Sequence, residues 1–147
     1  MADVKDPKIA EAYEKVRNDK EDLTWLLLDY ESDKSNALTL TESGTGDLAE
    51  LASKLQPQRA SFAYAKVRYV NDEHSFREKF VLITWIGEEV KVMRRAKVSV
   101  HAADVKNVLR AYSIEVSAST ASDLKQDDIV TRLRRAGGAN YDRSKFD

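Results

Sequence analysis

Few side chains in this sequence of 147 residues could support catalysis or bind a metal ion. Cysteine is absent, which excludes disulfides, thiolate metal sites and cysteine nucleophiles. The two histidines, His74 and His101, lie far apart in the chain. His101 and Asp104 have the i, i+3 spacing of a helical ligand pair, but a metal site needs more converging ligands than one pair supplies. We therefore expect no metal site, and we interpret His101 as an exposed side chain beside a helical acid.

Two glycine-containing segments could in principle cradle a phosphate group. Neither Ser43-Gly44-Thr45-Gly46 nor Ala136-Gly137-Gly138-Ala139 has the Lys-Ser/Thr pair of a P-loop or the third glycine of a dinucleotide-binding loop. We interpret the first segment as a turn and the second as the end of a helix. The sequence therefore predicts a protein that is not an enzyme and that uses no cofactor.

The chemistry that the sequence does offer is a cluster of cations in a chain of net charge −1. Residues 1–60 carry eight Lys/Arg against thirteen Asp/Glu, whereas residues 91–110 carry six Lys/Arg against one Asp. Such a polarised chain can attract an acidic partner to its basic segment. The chain as a whole is not basic and has no recognised nucleic-acid-binding motif, so a nucleic acid is only a minor alternative and we expect no nucleic-acid partner.

The elements that position these cations are organised around residues 79–87 (KFVLITWIG). Because this run is apolar at both odd and even positions, it predicts a central strand that is covered on both faces. Residues 25–28 have the same character, so we expect Trp25 and Trp85 to lie in the core. The composition, 42% hydrophobic and 33% charged, is that of an ordinary globular chain. No signal peptide or membrane-spanning run is evident, and we expect a cytoplasmic protein without membrane insertion.

Hydrophobic periodicity predicts the remaining elements. Helices are expected near residues 6–18, 47–57, 91–112 and 127–136, and strands near residues 23–30, 38–41, 61–70, 79–87 and 114–116. The last strand follows a helical crossover and should be parallel to its neighbour. The predicted fold class is α/β (α+β), with a mixed five-stranded sheet and helices on both faces. We expect one domain over residues 1–136 and a flexible tail over residues 137–147, because Gly137-Gly138 should end the last helix.

The long helix, predicted at residues 91–112, would span about 30 Å. Its apolar stripe has clean helical spacing and consists of Val98, Ala102, Val105, Leu109 and Tyr112. Continued backwards by four positions, the stripe reaches Arg94. We therefore expect the first turns of this helix to project past the sheet and to hold their cations in water.

Three segments resemble the coactosin family of actin-binding proteins, which are built on the actin-depolymerising-factor homology domain. They are residues 79–90 (KFVLITWIGEEV), 95–97 (RAK) and 136–142 (AGGANYD). The match extends from the first helix, where it includes Ala12-Tyr13 and Val16-Arg17, through the tail. The order of elements predicted above also agrees with that domain.

The resemblance implies a monomeric, non-catalytic protein of the actin cytoskeleton. Such a protein would bind the sides of actin filaments, would bind monomeric actin weakly or not at all, and would counter capping of growing barbed ends. The alternatives are a cofilin-like severing or monomer-binding protein and a phosphoinositide-binding module. Met1-Ala2-Asp3 has no counterpart of the phosphorylatable serine of cofilin relatives, which argues against that form of regulation and against tight monomer binding.

The resemblance also implies which residues contact actin. Lys79 precedes the phenylalanine of the central strand, Arg95 occupies the position of a basic contact in cofilin relatives, and the last helix belongs to a second filament contact. We expect acidic patches on actin to attract the cations, and Met93 with neighbouring apolar atoms to form a dry centre. The full candidate set is Arg77, Lys79, Met93, Arg94, Arg95, Lys97, Lys106, Arg132, Arg134 and Arg135.

Overall fold

The structure is a computed structural model that describes residues 2–72 and 75–146, with side chains described for residues 2–70 and 75–136. It contains four α-helices and five strands within these ranges. In chain order they are α1 (Pro7–Arg17), β1 (Trp25–Tyr30), β2 (Leu38–Gly44), α2 (Leu48–Lys54), β3 (Ala60–Asp72), β4 (Ser75–Ile86), α3 (Val92–Val108), β5 (Ile114–Ala118), a 3₁₀ helix (Ala121–Leu124) and α4 (Gln126–Phe146). His74 lies outside the described residues.

The five strands form one sheet in the order β2-β1-β3-β4-β5. All neighbouring pairs are antiparallel except β4 and β5, which are parallel. The parallel pair is the one joined by α3, because a strand that leaves one end of a sheet must cross back before it can run in the same direction. The predicted mixed five-stranded sheet and the parallel last strand are both confirmed.

The sheet separates two apolar layers. Leu27, Ile83 and Trp85 face one layer, which α2 and α4 cover, while Leu26 and Leu82 face the other, which α1 and α3 cover. Within β1 and within β4, consecutive residues therefore pack against opposite layers. The apolar residues at both odd and even positions predicted this arrangement. The core positions of the two tryptophans are confirmed, with Trp25 and Trp85 both buried.

Two helix boundaries differ from the predictions. α3 ends at Val108 and not near Tyr112, so its length is about 26 Å. The prediction that Gly137-Gly138 ends the last helix is wrong, since α4 continues through this pair to Phe146. Glycine in a helix costs only about 1 kcal/mol per residue, and it ends a helix when the backbone turns left-handed, which no described glycine does. The flexibility of residues 137–147 stays a prediction.

The strands β3 and β4 extend beyond their neighbours. β1 pairs with β3 only as far as Ala65, and β5 pairs with β4 only from Val81 onwards. Past these points the two strands pair with each other as a two-stranded ribbon, in which Val67 lies opposite Lys79. We call this ribbon the β3–β4 arm (residues 67–72 and 75–79).

Hydrogen bonds between residues 85–89 and residues 56–59 fix the backbone just before α3. The Gly87 backbone N–H donates to the carbonyl of Arg59 (3.0 Å), and the Glu89 N–H donates to the carbonyl of Pro57 (2.8 Å). Trp85 Nε1 donates to the carbonyl of Gln56 at 2.8 Å. A Cβ atom at Gly87 would lie 2.2 Å from the Pro57 oxygen, so this approach requires glycine. The chain therefore enters α3 along a fixed path.

Candidate functional site

The β3–β4 arm places Lys79 and Arg77 on one face of the sheet. Lys79 pairs with Val67 and Arg77 pairs with Tyr69. Because residues opposite each other on antiparallel strands point to the same face, both cations share the face of Val67 and Tyr69, which is the face that α4 covers. Lys79 is half-buried and Arg77 is exposed.

α4 brings Arg134 to the same face of the arm. Its guanidinium carbon lies 5.8 Å from the centroid of the Tyr69 ring, and its Nη2 donates to the carbonyl of Val70 at 2.8 Å. Arg77, Lys79 and Arg134 are therefore supplied by two elements but form one basic region, which we call the arm surface. Arg135 is exposed on the same helix, while Ile129, Val130 and Leu133 point inwards as predicted.

Arg132 and Lys106 converge on Glu115 of the edge strand β5. Lys106 Nζ lies 2.9 Å from Glu115 Oε2, and Arg132 Nη2 donates to the Glu115 carbonyl at 2.7 Å. The Tyr112 hydroxyl donates to Glu115 Oε1 at 2.9 Å. The hydrogen bond with Lys106 lowers the pKa of Glu115 and raises that of Lys106. Both of these predicted site cations therefore already bind Glu115, Lys106 through its carboxylate and Arg132 through its backbone carbonyl.

The outer face of α3 is apolar. Val92, Met93 and Val100 are 79%, 75% and 63% exposed, and Ala96 is exposed between them. At 100° per residue these four side chains lie on the side of the helix opposite the buried Val98. We call this stripe, with the exposed Lys97 beside it, the α3 surface. The predicted set of contact residues includes Met93 but not Val92 or Val100, which belong to a second apolar stripe that the core does not need.

Arg94 and Arg95, at the start of α3, are both bound to backbone carbonyls. Arg95 is exposed, but its Nε donates to the Val90 carbonyl at 2.8 Å and its Nη2 donates to the carbonyls of Gly87 (3.2 Å) and Glu88 (3.0 Å). Arg94 is half-buried against the β1–β2 connection. The expectation of solvated cations in the first turns is therefore wrong for Arg94, which continues the inward stripe and finds backbone carbonyls there.

His101 is buried, with 3% of its surface exposed, so the prediction of an exposed histidine is wrong. Its Nδ1 lies 2.6 Å from the Tyr30 hydroxyl oxygen, and burial lowers the pKa of the imidazole, with a further contribution from the positive charge of Arg94. Asp104 accepts a hydrogen bond from the Ala2 N–H at 2.8 Å. Among the described residues, no three His, Asp or Glu side chains are arranged to hold a metal ion.

The arm also has an apolar side that sequence reasoning missed. Phe76 is exposed on the face opposite Lys79, and the guanidinium carbon of Arg68 lies 4.9 Å from the centroid of its ring. Phe76 pairs with Val70, which is also partly exposed. The signal was one aromatic residue in the polar stretch before the predicted strand at residues 79–87, and this stretch is the first part of β4.

The arm surface and the α3 surface are separate. α3 follows the carboxyl end of β4, whereas Lys79 lies seven residues before Ile86, about 23 Å away along the strand. α3 also covers the other face of the sheet. The structure therefore does not bring Lys79 together with Met93 and Lys97. It does unite Lys79 and Arg77 with Arg134. No helix in the described part of the chain is both long and apolar enough to cross a membrane.

Comparison with known proteins identifies the family of this chain. The family model described as "Cofilin/tropomyosin-type actin-binding protein" matches residues 1–134. Coactosin of Dictyostelium discoideum is 40% identical over 146 residues, which cover 99% of this chain and 98% of that protein. Coactosin-like protein of Rattus norvegicus is 33% identical over 132 residues, which cover 89% of each chain.

The fold gives the same result. The crystal structure of coactosin from Entamoeba histolytica superposes with a TM-score of 0.83 at 29% identity, covering 93% of this chain and 97% of that one. A human coactosin-like protein superposes with a TM-score of 0.82 at 27% identity, covering 92% and 99%. This chain therefore belongs to the cofilin and actin-depolymerising-factor homology family of actin-binding proteins, and within that family it is of the coactosin type.

Proposed function

We propose that this protein binds along the sides of actin filaments and counters capping of their barbed ends, without catalysing a reaction. The observation that supports filament binding most directly is the separation of the arm surface from the α3 surface. Two contacts on opposite faces of a sheet, about 23 Å apart along a strand, suit a partner that presents more than one subunit. A mouse coactosin with 30% identity and a TM-score of 0.75 is described as an actin filament binding protein.

The arm surface acts through charge. Arg77, Lys79 and Arg134 attract acidic groups of actin at a distance and then fix the register of the complex. Since exposed charges are screened beyond about 8 Å at physiological ionic strength, added salt weakens this contact.

The α3 surface acts by excluding water. Full burial of a Met or Val side chain contributes about 1.5–3 kcal/mol, and Met93 and Val100 lie close enough on α3 to enter the same apolar cleft. The neighbouring Lys97 supplies a charge at the rim of this contact. The α3 surface thus provides the dry centre and the arm surface provides orientation.

The preference for filaments follows from having two weak contacts. When the first surface is bound to one actin subunit, the second surface meets the adjacent subunit at a high effective concentration. A single actin monomer engages only one surface at a time and is bound weakly. A protein held beside the terminal subunits would obstruct a capping protein. We place the protein in the cytoplasm with the actin cytoskeleton, as a monomer.

Co-sedimentation with actin filaments tests this function. We expect the protein to pellet with filaments at low salt, and to pellet less as salt increases. The variant Lys79→Ala should bind more weakly while its thermal unfolding is nearly unchanged. The matched control is Lys54→Ala on α2, whose exposed ion pair with Glu42 (3.4 Å) belongs to neither surface. A chain that stays in the supernatant while actin pellets would contradict the proposal.

A second assay separates the proposed function from a cofilin-like one. Pyrene-actin elongation from filament seeds is measured with a barbed-end capping protein, with and without this chain. We expect the chain to restore elongation and to cause little disassembly of preformed filaments. Rapid loss of pyrene fluorescence without capping protein would indicate severing or depolymerisation instead.

A further inference from the structure

We propose that Arg94 is a positioning residue, which holds the actin-facing helix α3 in place and does not itself contact actin. This inference rests on the proposed role of the α3 surface. Its first support is the environment of the guanidinium group. Arg94 Nη2 donates to three backbone carbonyls of the β1–β2 connection, those of Ser32 (3.2 Å), Asp33 (2.6 Å) and Ser35 (3.0 Å). Nη2, surrounded by three carbonyls, has no donor left for a partner protein, and Nη1 has no hydrogen-bond partner among the described residues but is itself buried out of a partner's reach.

The second support is an aromatic stack that continues to His101. The guanidinium carbon of Arg94 lies 3.8 Å from the centroid of the Tyr30 ring, and the Tyr30 hydroxyl is 2.6 Å from His101 Nδ1. Arg94 and His101 are two turns apart on the inward face of α3. Tyr30, at the end of β1, is therefore held between two residues of α3, and the first half of the helix is joined to the β1–β2 hairpin at two points.

The start of α3 needs such support. Its N-cap residue, Lys91, makes no side-chain capping hydrogen bond, and its first turn contains no acidic residue. Instead Lys91, Arg94 and Arg95 lie near the positive end of the helix dipole, where cations are unfavourable. The contacts that Arg94 and Arg95 make with nearby carbonyls offset this disadvantage. Without them, the turn that carries Met93 would be the weakest part of the helix.

The role requires arginine and not merely a positive charge. The planar guanidinium can stack on an aromatic ring while its edge donates to several acceptors. A lysine ammonium at position 94 has no planar face to stack on Tyr30 and cannot reproduce both contacts. A charge-conserving substitution therefore separates positioning from direct electrostatic contact with actin.

The test compares Arg94→Lys and Arg94→Met with the control Lys97→Ala, an exposed cation of the α3 surface. Filament affinity is measured over a series of salt concentrations, at a temperature where circular dichroism shows each variant fully folded. We expect both Arg94 variants to bind about 5–10-fold more weakly with an unchanged slope of log affinity against log salt. Lys97→Ala should reduce that slope, because it removes a contacting charge. Near-parental affinity for Arg94→Lys, or a reduced slope for Arg94→Met, would overturn the inference.

Amide hydrogen exchange of the free protein gives a readout that does not depend on actin. In Arg94→Met, the amides in the first two turns of α3 should exchange faster, while those of the central strands β3 and β4 keep their protection. Unchanged exchange at α3 would refute the positioning role even if filament binding is confirmed. Faster exchange together with no filament binding by the parent protein would instead refute the proposed function and leave Arg94 as the anchor of α3.

Discussion

Replacing Met93 with glutamine tests whether the α3 surface becomes dry when actin binds. The two side chains have similar length and similar helix propensity, and Met93 is 75% exposed in the free protein. The free energy of unfolding should therefore change by less than about 0.5 kcal/mol. The variant isolates the apolar contribution of one side chain to binding.

The expected loss of affinity follows from the exposed fraction. Full burial of a methionine side chain contributes about 1.5–3 kcal/mol. Three quarters of Met93 remains to be covered by actin, which corresponds to about 1–2 kcal/mol. At 1.4 kcal/mol per tenfold change, the dissociation constant should rise about 5–30-fold.

The assay is co-sedimentation over a range of filament concentrations, with urea unfolding measured in parallel. The control is Ala49→Gln, which places the same new side chain at an exposed position of α2, on the other face of the sheet. We expect the control to bind like the parent protein. Equal binding by Met93→Gln and the parent would show that the outer face of α3 stays in water when actin binds, and would contradict the proposed role of the α3 surface.

Three further predictions concern the fold. Gly87→Ala should lower the free energy of unfolding by about 1–3 kcal/mol, because its Cβ would clash with the Pro57 carbonyl; an unchanged urea midpoint would contradict this. Burial lowers the pKa of His101 below its ordinary value of 6.5. As the pH falls, His101 is therefore protonated in the unfolded chain before it is protonated in the folded protein. The thermal midpoint should thus decrease as pH falls below about 6.5, and less so in His101→Gln; parallel pH profiles would exclude His101 as the cause. Backbone ¹⁵N relaxation should show lower order parameters for residues 137–147 than for α3, and uniform values would refute a flexible tail.

The sheet and its two covered faces could be predicted because the signal is local. Runs that are apolar at both parities, such as residues 25–28 and 79–87, need apolar neighbours on both sides wherever they lie in the fold. The parallel β5 followed from connectivity alone. The end of α4 could not be predicted in the same way, because Gly137-Gly138 permits a helix end without requiring one.

The site was less predictable because its geometry depends on residues far apart in the chain. His101 was interpreted as exposed because only its helical neighbour Asp104 was considered, whereas its partner Tyr30 is 71 residues away. Arg94 was likewise placed in water because the carbonyls that bind it belong to the β1–β2 connection. The arm could not be anticipated from β3 and β4 themselves, since it exists only because β1 and β5 are shorter.

The arm has a consequence for how relatives of this protein can diverge. Val70 and Phe76, towards the outer end of the arm, are exposed and belong to neither core, so this end can change in length and charge without repacking the two cores. Side chains of a ribbon alternate between its faces, so inserting or deleting two residues in each strand moves the outer end, keeps the strands in register and leaves every side chain on its original face. A deletion in β4 alone, before Lys79, would instead disturb the pairing with β3. It would turn the cations on the outer side of the deletion to the opposite face. Variation in arm length should therefore occur in matched pairs of residues.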